Sequence, residues 1–337
     1  MTKTHQDEKR IGEFDLIARY FAPLAAKDGA FGLLDDAARL RVGPDEDLVL
    51  TNDTLAAGVH FFADDPAGCI ARKALRVNLS DLAAKGAVPK AYLLSLALPA
   101  DWTQDWLREF AMGLAEDQAL YGIELLGGDT LKSPDGLFIS ITALGSLPRD
   151  SMVTRLGGKS GDMLYVTGTI GDAALGLSTQ GATADTAGWP LSHAERAFLC
   201  QRYLLPLPRL EMAPLLRAHA SAAMDISDGL LGDLAKLCGA SKVGAVVNVD
   251  DVPHSPAVCA MFRHDPGFRT IALNGGDDYE VLCSVPKDRT RQFEADARTA
   301  GMAATRIGEL TKYARGVSVI DSGGETLSIQ SGSFEHF

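Results

Sequence analysis

The sequence predicts an α/β protein with α+β character, made of two domains that are each built on a mixed sheet. The chain has 337 residues, which is longer than one typical domain. Short apolar and β-branched runs alternate with segments of helical spacing along its length. Residues 148–162 are rich in Gly, Pro and charge and indicate a junction. We therefore expect an N-terminal domain at residues 1–148 and a C-terminal α/β domain at residues 149–337.

The first half is predicted to begin with a helix and then to alternate strands with helices. Apolar side chains recur at helical spacing within residues 12–26. A strand at residues 48–50 is expected to end at the polar residues 51–54, and a strand at residues 123–126 is expected to end at residues 127–130. The remaining elements are predicted as helices at residues 65–85 and 103–121 and as strands at residues 92–98 and 137–147.

The second half is predicted to contain four strands separated by helices. A strand at residues 163–167 comes first, and a strand that ends at Asp225 follows later in the chain. Two further strands are predicted at residues 245–249 and 279–285. The helices are predicted at residues 172–178, 192–204, 209–219, 229–238 and 287–300. This order fits two halves with mixed sheets better than one doubly wound sheet.

Charge and cysteine content exclude several classes of partner and site. The chain has 32 Lys and Arg residues against 44 Asp and Glu residues, a net charge of −12, which disfavours nucleic acid and anionic membranes as partners. Its five cysteines form no C-x-x-C pair, which disfavours a disulfide framework or a thiolate zinc site and suits a reducing cytoplasm. The N-terminus lacks the apolar segment of a secretory signal, and no apolar run is long enough to span a membrane. We expect a cytoplasmic protein.

Aspartate recurs just after apolar segments, usually beside Gly, Ser, Thr or Asn. Each such residue alone is typical of turns and helix caps. Asp81 differs because it lies in an amphipathic helical stretch, and Asp225 differs because it directly follows an apolar strand. Mg²⁺ prefers oxygen ligands, and carboxylates at strand ends hold such ligands rigidly. Six places with this pattern favour a metal cage over unrelated turns: Asp35-Asp36, Asp53, Asp81, Asp129, Asp225 with Asp228, and Asp277-Asp278.

Familiar nucleotide and metalloprotease motifs are missing from the sequence. Residues 157–160 resemble the end of a P-loop, but Val153 stands where that motif requires glycine. No G-x-G-x-x-G follows a predicted strand, and no H-E-x-x-H is present. Taken alone, His60 is typical of a packed or surface histidine. Arg155 alone is typical of a solvated charge, although its guanidinium could bind a phosphate bidentately.

The aspartate motifs, in this order, resemble those of the thiamine-monophosphate kinases. That family belongs to a superfamily with aminoimidazole ribonucleotide synthetase, selenophosphate synthetase and the hydrogenase-maturation dehydratase. The likeness extends over nearly the whole chain. Its motifs are Gly12-Glu13-Phe14, Asp35-Asp36, Thr51-x-Asp53-Thr54-x-x-x-Gly58-x-His60-Phe61, Val77-Asn78-Leu79-Ser80-Asp81-Leu82-Ala83, Gly127-Gly128-Asp129-Thr130, Tyr165-Val166-Thr167-Gly168-Thr169, the segment at residues 225–230 and the segment at residues 275–280.

The resemblance implies a set of site residues. It implies that several Mg²⁺ ions are held by Asp36, Thr51, Asn52, Asp53, Asp81, Asp129, Asp225 and Asp228. Nucleotide contacts are implied for Gly128, Asp129, Arg155 and Ser227, and contacts with thiamine monophosphate for His60 and Asp277.

The resemblance also implies a reaction and an assembly. The implied reaction is phosphorylation of thiamine monophosphate by ATP to give thiamine diphosphate, by in-line transfer assisted by Mg²⁺. The attacking oxygen belongs to an anionic phosphate, so no general base is expected. A homodimer joined through the N-terminal sheets is implied, with the C-terminal domain closing over the active site.

Three positions depart from the family pattern. Gly32-Leu33-Leu34 replaces the usual Gly-x-Gly before the Asp pair, and Asn52 stands where a second Thr is common. The aromatic residue that the family places over the thiamine ring is not evident at Ser331-Gly332-Ser333-Phe334. Two alternatives therefore stay open, namely another ATP-dependent enzyme of the same superfamily and a non-catalytic nucleotide-binding paralogue.

Overall fold

The computed structural model describes residues 11–180, 186, 188–312 and 316–327. The chain divides into two structural units that interleave along the sequence. One unit contains the described residues up to Arg41 together with Asn52–Leu75 and Lys90–Ala143. The other contains Val42–Thr51, Arg76–Pro89 and the described residues from Leu144 onward. Within both units helices accompany a β-sheet, which confirms the predicted fold class.

Four strands of the first half form one sheet. The strands are β1 (Glu46–Ala56), β2 (Val88–Leu98), β3 (Glu124–Lys132) and β4 (Phe138–Pro148), in the order β1-β4-β2-β3. The helices of this half are α1 (Glu13–Leu16), α2 (Ala67–Ala84) and α3 (Gln104–Tyr121). Strands β2 and β3 are parallel, since α3 makes the crossover that parallel neighbours require. Thr103 caps α3 by accepting the N–H of Trp106.

The predicted ends of two strands were wrong. Strand β1 continues through residues 51–54, with Leu55 buried and Asn52 exposed in the alternation expected of a paired strand. Strand β3 likewise continues through residues 127–130 and pairs Asp129 with Ser95 of β2. Pairing with a neighbouring strand therefore outweighs the turn preference of Gly, Asn and Asp at these positions. The motif residues lie inside strands rather than after them.

The predicted N-terminal helix is shorter than expected. The α-helical part ends at Leu16, and a π-helical turn (Ile17–Phe21) and a 3₁₀ turn (Ala22–Leu24) follow. Pro23 has no N–H to continue an α-helical ladder, so the tighter turn ends the segment. The apolar spacing was nevertheless informative, because Tyr20, Phe21 and Leu24 are buried.

Six strands of the second half form a mixed sheet. The strands are β5 (Met163–Thr167), β6 (Ala222–Asp225), β7 (Gly244–Asn248), β8 (Val281–Val285), β9 (Ala304–Thr311) and β10 (Val317–Ile320). Their order is β10-β7-β9-β5-β8-β6. Only β10 and β7 pair in parallel within the described sheet, and the other neighbours are antiparallel. The helices are α4 (Asp172–Ser178), α5 (His193–Leu204), α6 (Ala213–His219), α7 (Leu230–Ser241), α8 (Pro256–His264), α9 (Phe268–Asn274) and α10 (Thr290–Thr299).

Both faces of the six-stranded sheet are buried. Leu164 and Val166 of β5 belong to a core that includes the apolar side of α7. Met163 and Tyr165 point to the other face, into a core with residues of α6 and α10. A strand buried on both faces reads as an apolar run, which explains why β5 was predicted correctly. No helix in the described segments of the chain is both long and apolar enough to cross a membrane.

The antiparallel pair β6 and β8 positions the site. Asp225, the last residue of β6, pairs with Val281, the first residue of β8. The segment that leaves β6 and the segment that enters β8 therefore lie at the same edge of the sheet. These segments carry Ser227, Asp228 and Asp277.

Candidate functional site

A buried carboxylate cluster lies at the end of β6. Asp225 is 5% exposed, and its Oδ2 accepts a hydrogen bond from Ser80 Oγ at 2.8 Å. The hydroxyl of Thr51 donates to Oδ2 of Asp81, the residue after Ser80. Burial, and then the charge of Asp81, raise the pKa of Asp225 to about 8. Three of the predicted metal ligands are therefore neighbours. Thr51 is hydrogen-bonded to Asp81, and the charge of Asp81 acts on Asp225.

Lys85 belongs to the same cluster and was not predicted. Its Nζ donates to the carbonyl oxygen of Ala223 at 2.8 Å. Burial lowers the pKa of Lys85, although the charges of Asp225 and Asp81 act in the opposite direction. Lys85 follows Asp81 by four residues, across the end of α2, and this i, i+4 spacing could have revealed it.

Side chains of α7 fix the turn that follows β6. Buried Asp233 accepts the backbone N–H groups of Ser227 and Asp228, both at 2.9 Å, on one carboxylate oxygen. Lys236 Nζ donates to the other oxygen at 2.9 Å and also pairs with the carboxylate of Asp228. Asp233 and Lys236 were not predicted, although an acidic residue in the first turn of a helix is a recognisable signal.

Ser227 and Asp277 are brought together by the backbone. The N–H of Asp277 donates to the carbonyl of Ser227 at 2.9 Å, and the N–H of Tyr279 donates to the carbonyl of Ile226 at 2.8 Å. A predicted nucleotide contact and a predicted substrate contact are thus adjacent. Arg155 is exposed and close enough to Lys85 for its charge to lower the pKa of that lysine.

The remaining predicted residues lie in the other structural unit. Asn52 is fixed through its amide nitrogen, which donates to the carbonyl of Ile141 at 3.0 Å and to Thr142 Oγ1 at 2.9 Å. His60 accepts the N–H of Ala56 on Nδ1 at 3.1 Å, so the neutral ring carries its proton on Nε2. An Nε2–H group is a suitable donor to phosphate.

Two residues of this unit, Gly128 and Leu33, adopt backbone conformations with positive φ. Gly128 has φ 153°, and a Cβ there would lie 1.8 Å from the carbonyl oxygen of Leu94. Only glycine therefore fits at this point of the β2–β3 pairing. Before the exposed Asp36, Leu33 adopts φ 59°, a left-handed conformation that glycine would take without strain.

The predicted ligands are distributed over both structural units. Among the residues that the structure describes, no three His, Cys, Asp or Glu side chains are grouped so as to hold a metal ion. Asp36, Asn52, Asp53, His60, Gly128 and Asp129 lie in one unit, and Thr51, Asp81, Arg155, Asp225, Ser227, Asp228 and Asp277 lie in the other. The stretch at Ser331–Phe334 lies outside the described residues.

The donor set around Asp225 nevertheless fits a hard divalent cation. Burial, and then repulsion by the carboxylate of Asp81, raise the pKa of Asp225. A bound cation would remove that repulsion, and carboxylate and hydroxyl oxygens are the ligands that Mg²⁺ accepts.

Known proteins are similar to this chain along nearly its whole length. Residues 34–147 match the family of AIR synthase related proteins, N-terminal domain, and residues 159–321 match its C-terminal domain. Thiamine-monophosphate kinase of Caulobacter vibrioides is 42% identical over 316 residues, which cover 92% of this chain and 87% of that protein.

Solved structures show the same likeness. The crystal structure of thiamine-monophosphate kinase from Stenotrophomonas maltophilia K279a has a TM-score of 0.81 at 38% identity, covering 94% of this chain and 98% of that chain. AaThiL complexed with AMPPCP and TMP has a TM-score of 0.75 at 31% identity, covering 98% of this chain and 100% of that chain.

Proposed function

The chain belongs to the thiamine-monophosphate kinase family, and we propose that it transfers the γ-phosphoryl group of ATP to thiamine monophosphate, giving ADP and thiamine diphosphate. The resemblance inferred from the sequence motifs is thereby confirmed. The observation that carries the proposed reaction is the likeness, over almost the whole chain, to a ThiL that binds AMPPCP and TMP.

The proposed metal ligands are those that the motifs indicate, namely Asp36, Thr51, Asn52, Asp53, Asp81, Asp129, Asp225 and Asp228. Bound Mg²⁺ would neutralise the mutually repelling phosphates of the two substrates and align them for in-line transfer. The chain's own contribution is to fix the oxygen ligands. Ser80 orients the carboxylate of Asp225, and Thr51 orients that of Asp81. Asn52 is fixed to β4 through its amide nitrogen.

Ser227 and Asp277, at the edge formed by β6 and β8, are two of the proposed substrate contacts. Gly128, Asp129, Arg155 and Ser227 are the proposed ATP contacts. His60 and Asp277 are the proposed contacts with thiamine monophosphate. The hydrogen bond from Asp277 to Ser227 supports adjacent positions for the two substrates. No side chain is required as a general base, because the attacking phosphate oxygen is already anionic near neutral pH.

The protein is proposed to act as a homodimer joined through the N-terminal sheet. Strand β1 exposes Leu48 and Leu50 on one face, and Leu93 of β2 and Phe138 of β4 are also exposed. Apolar strand residues exposed in this way are typical of an interface, and a second copy of the chain is the proposed partner. The domain limits at residues 1–148 and 149–337 stay proposals, supported by the two family matches. Closure of the C-terminal domain over the site and a cytoplasmic location are likewise proposed.

The reaction is tested by incubating the protein with ATP, Mg²⁺ and thiamine monophosphate. Equal amounts of ADP and thiamine diphosphate are expected, and chelation of the metal with EDTA should abolish both products. A protein that binds AMPPCP but forms no thiamine diphosphate would contradict the proposal and favour a non-catalytic paralogue. ADP formation without thiamine diphosphate would instead favour another ATP-dependent reaction of the superfamily.

A further inference from the structure

The segment at residues 275–280, which enters β8, alternates between buried and partly exposed side chains. Asp278 and Glu280 are buried, whereas Asp277 and Tyr279 are partly exposed. Asp277 has φ 71° and Tyr279 has φ 50°, which are unusual for residues other than glycine. Such conformations cost free energy and persist only where the surroundings fix them. The contacts of the two buried side chains, Asp278 and Glu280, hold this turn.

Glu280 is one anchor. Its carboxylate accepts Thr167 Oγ1 at 2.7 Å, Arg209 Nε at 2.6 Å and Arg202 Nη2 at 2.9 Å. A second nitrogen of Arg209 also binds it, so that arginine is bidentate. Gly168 leaves the space that this requires, because a Cβ there would lie 2.1 Å from Glu280 Oε1.

Asp278 is the second anchor. Its Oδ2 accepts the backbone N–H of Gly171 at 2.8 Å, and its Oδ1 accepts that of Ala173 at 3.3 Å, at the start of α4. Three backbone hydrogen bonds join the same segment to the turn after β6. Two of them are donated by Asp277 and Tyr279, and the third runs from the N–H of Ile226 to the carbonyl of Glu280 at 2.9 Å. The turn is therefore tied at both buried positions and along its backbone.

We infer that Asp278 and Glu280 are positioning residues that hold the left-handed turn and thereby present Asp277 to thiamine monophosphate. Arg202 and Arg209 take part by fixing the carboxylate of Glu280. The inference rests on the proposed function and deepens it. None of these four residues is assigned a contact with substrate. Their effect reaches the substrate only through the carboxylate of Asp277.

The test is a double-mutant cycle between Arg209 and Asp277. Arg209→Met keeps an apolar stem and removes the bidentate contact. We expect it to raise KM for thiamine monophosphate by about tenfold to a hundredfold, because a displacement of a substrate-binding group by about 1 Å has effects of this size. KM for ATP should change by less than about twofold. In an Asp277→Ala background, the same change should raise KM for thiamine monophosphate no further. Equilibrium dialysis of thiamine monophosphate with AMPPCP present should show the same pattern.

Two other results would contradict the inference. The inference would be overturned if Arg209→Met raised KM for ATP as much as KM for thiamine monophosphate. It would also be overturned if Arg209→Met raised KM for thiamine monophosphate as much in the Asp277→Ala background as in the wild type. Neither result would contradict the proposed reaction. A wild-type protein that forms no thiamine diphosphate would contradict the reaction itself.

A milder pair of variants covers the case in which Arg209→Met does not fold. Thr167→Val removes one hydrogen bond to Glu280 and the acceptor of the Val281 N–H, and Thr167→Ser restores the hydroxyl that makes both contacts. We expect Thr167→Val to raise KM for thiamine monophosphate and Thr167→Ser to return it to the wild-type value. Equal KM values in the two variants would overturn the inference.

Discussion

Ser80 and Asp225, which are 145 positions apart in the chain, are joined by a hydrogen bond of 2.8 Å between Oγ and Oδ2. The Ser80 hydrogen bond favours the ionised form of Asp225, whereas burial and then the charge of the next residue, Asp81, disfavour it and raise its pKa. One end of α2 therefore both orients and destabilises a buried negative charge. Such an arrangement is typical of sites where function outweighs stability.

Asp225→Asn should stabilise the protein and inactivate it. The amide still accepts a hydrogen bond from Ser80 and needs no proton to stay neutral, whereas burial and then the charge of Asp81 penalise the ionised form of Asp225, so unfolding near neutral pH should cost roughly 1–3 kcal/mol more in the absence of metal. Formation of thiamine diphosphate should fall about a hundredfold or more, since a proposed ligand is lost. Urea unfolding and the product assay give the two measurements. A less stable variant would contradict the origin proposed for the raised pKa.

Asp129→Asn should abolish most of the activity without affecting the fold. Asp129 is exposed on β3, so the amide keeps the strand pairing and removes only a proposed metal ligand. The matched control is Asp135→Asn, an exposed carboxylate in the turn that follows β3. We expect equal melting temperatures and a loss of turnover in Asp129→Asn alone. Wild-type turnover in Asp129→Asn would mean that this aspartate is only a strand residue.

His254 should make the protein less stable in mild acid. Its Nδ1–H donates to the carbonyl of Ile170 at 2.8 Å, while buried Nε2 has no hydrogen-bond partner within the described residues. Burial lowers the pKa of His254, and the charge of Arg269 adds to this, against the opposing effects of the Ile170 carbonyl and Asp172. The unfolded chain therefore binds a proton that the folded chain does not. Stability is present above the ordinary histidine pKa of about 6.5 and falls as the pH drops below it.

The variant His254→Gln isolates this effect, because its amide can still donate to Ile170. Urea unfolding at pH 7.5 and pH 5.5 should show a smaller loss of stability in the variant than in the wild type. The difference cannot exceed about 1.4 kcal/mol per pH unit. Parallel pH profiles for the two proteins would show that His254 does not contribute.

Leu50→Glu should separate the proposed dimer. Leu50 is 60% exposed on β1, and a carboxylate there would be buried against the second copy. Light scattering after size exclusion should report a monomer for this variant and a dimer for the wild type. Leu156→Glu, at an exposed position outside the sheet, should leave the wild-type mass. A wild-type monomer would remove the dimer from the proposal.

The sequence predicted the elements that are buried on both faces better than those that are half exposed. The bounds of β5 and α4 were confirmed, and Asp81 lies on a helix as expected. Helices α8 and α9 and strands β9 and β10 were not predicted. In α8 the signal was present, since Ser255 caps the helix and Pro256 occupies its first turn. The edge strand β10 has mostly half-buried residues, which give weak alternation.

Only some residues of the candidate site could be predicted from the sequence. Aspartates next to Gly, Ser or Asn could be singled out from the sequence because their neighbours mark them. The supporting groups could not, because tertiary contacts create them. Glu280 and Arg202 are 78 positions apart, and no local pattern in the chain connects them. Whether the singled-out aspartates bind metal stays a prediction.

The fit of Gly128 against Leu94 has a consequence for reading the evolution of this site. Any side chain at position 128 meets a main-chain oxygen at 1.8 Å, so each substitution must push a pair of neighbouring strands apart. A library randomised at this codon should return glycine whether survivors are selected for thiamine diphosphate synthesis or merely for folded protein. Invariance at this codon across a lineage would therefore carry no information about nucleotide binding, whereas invariance at Asp129 would.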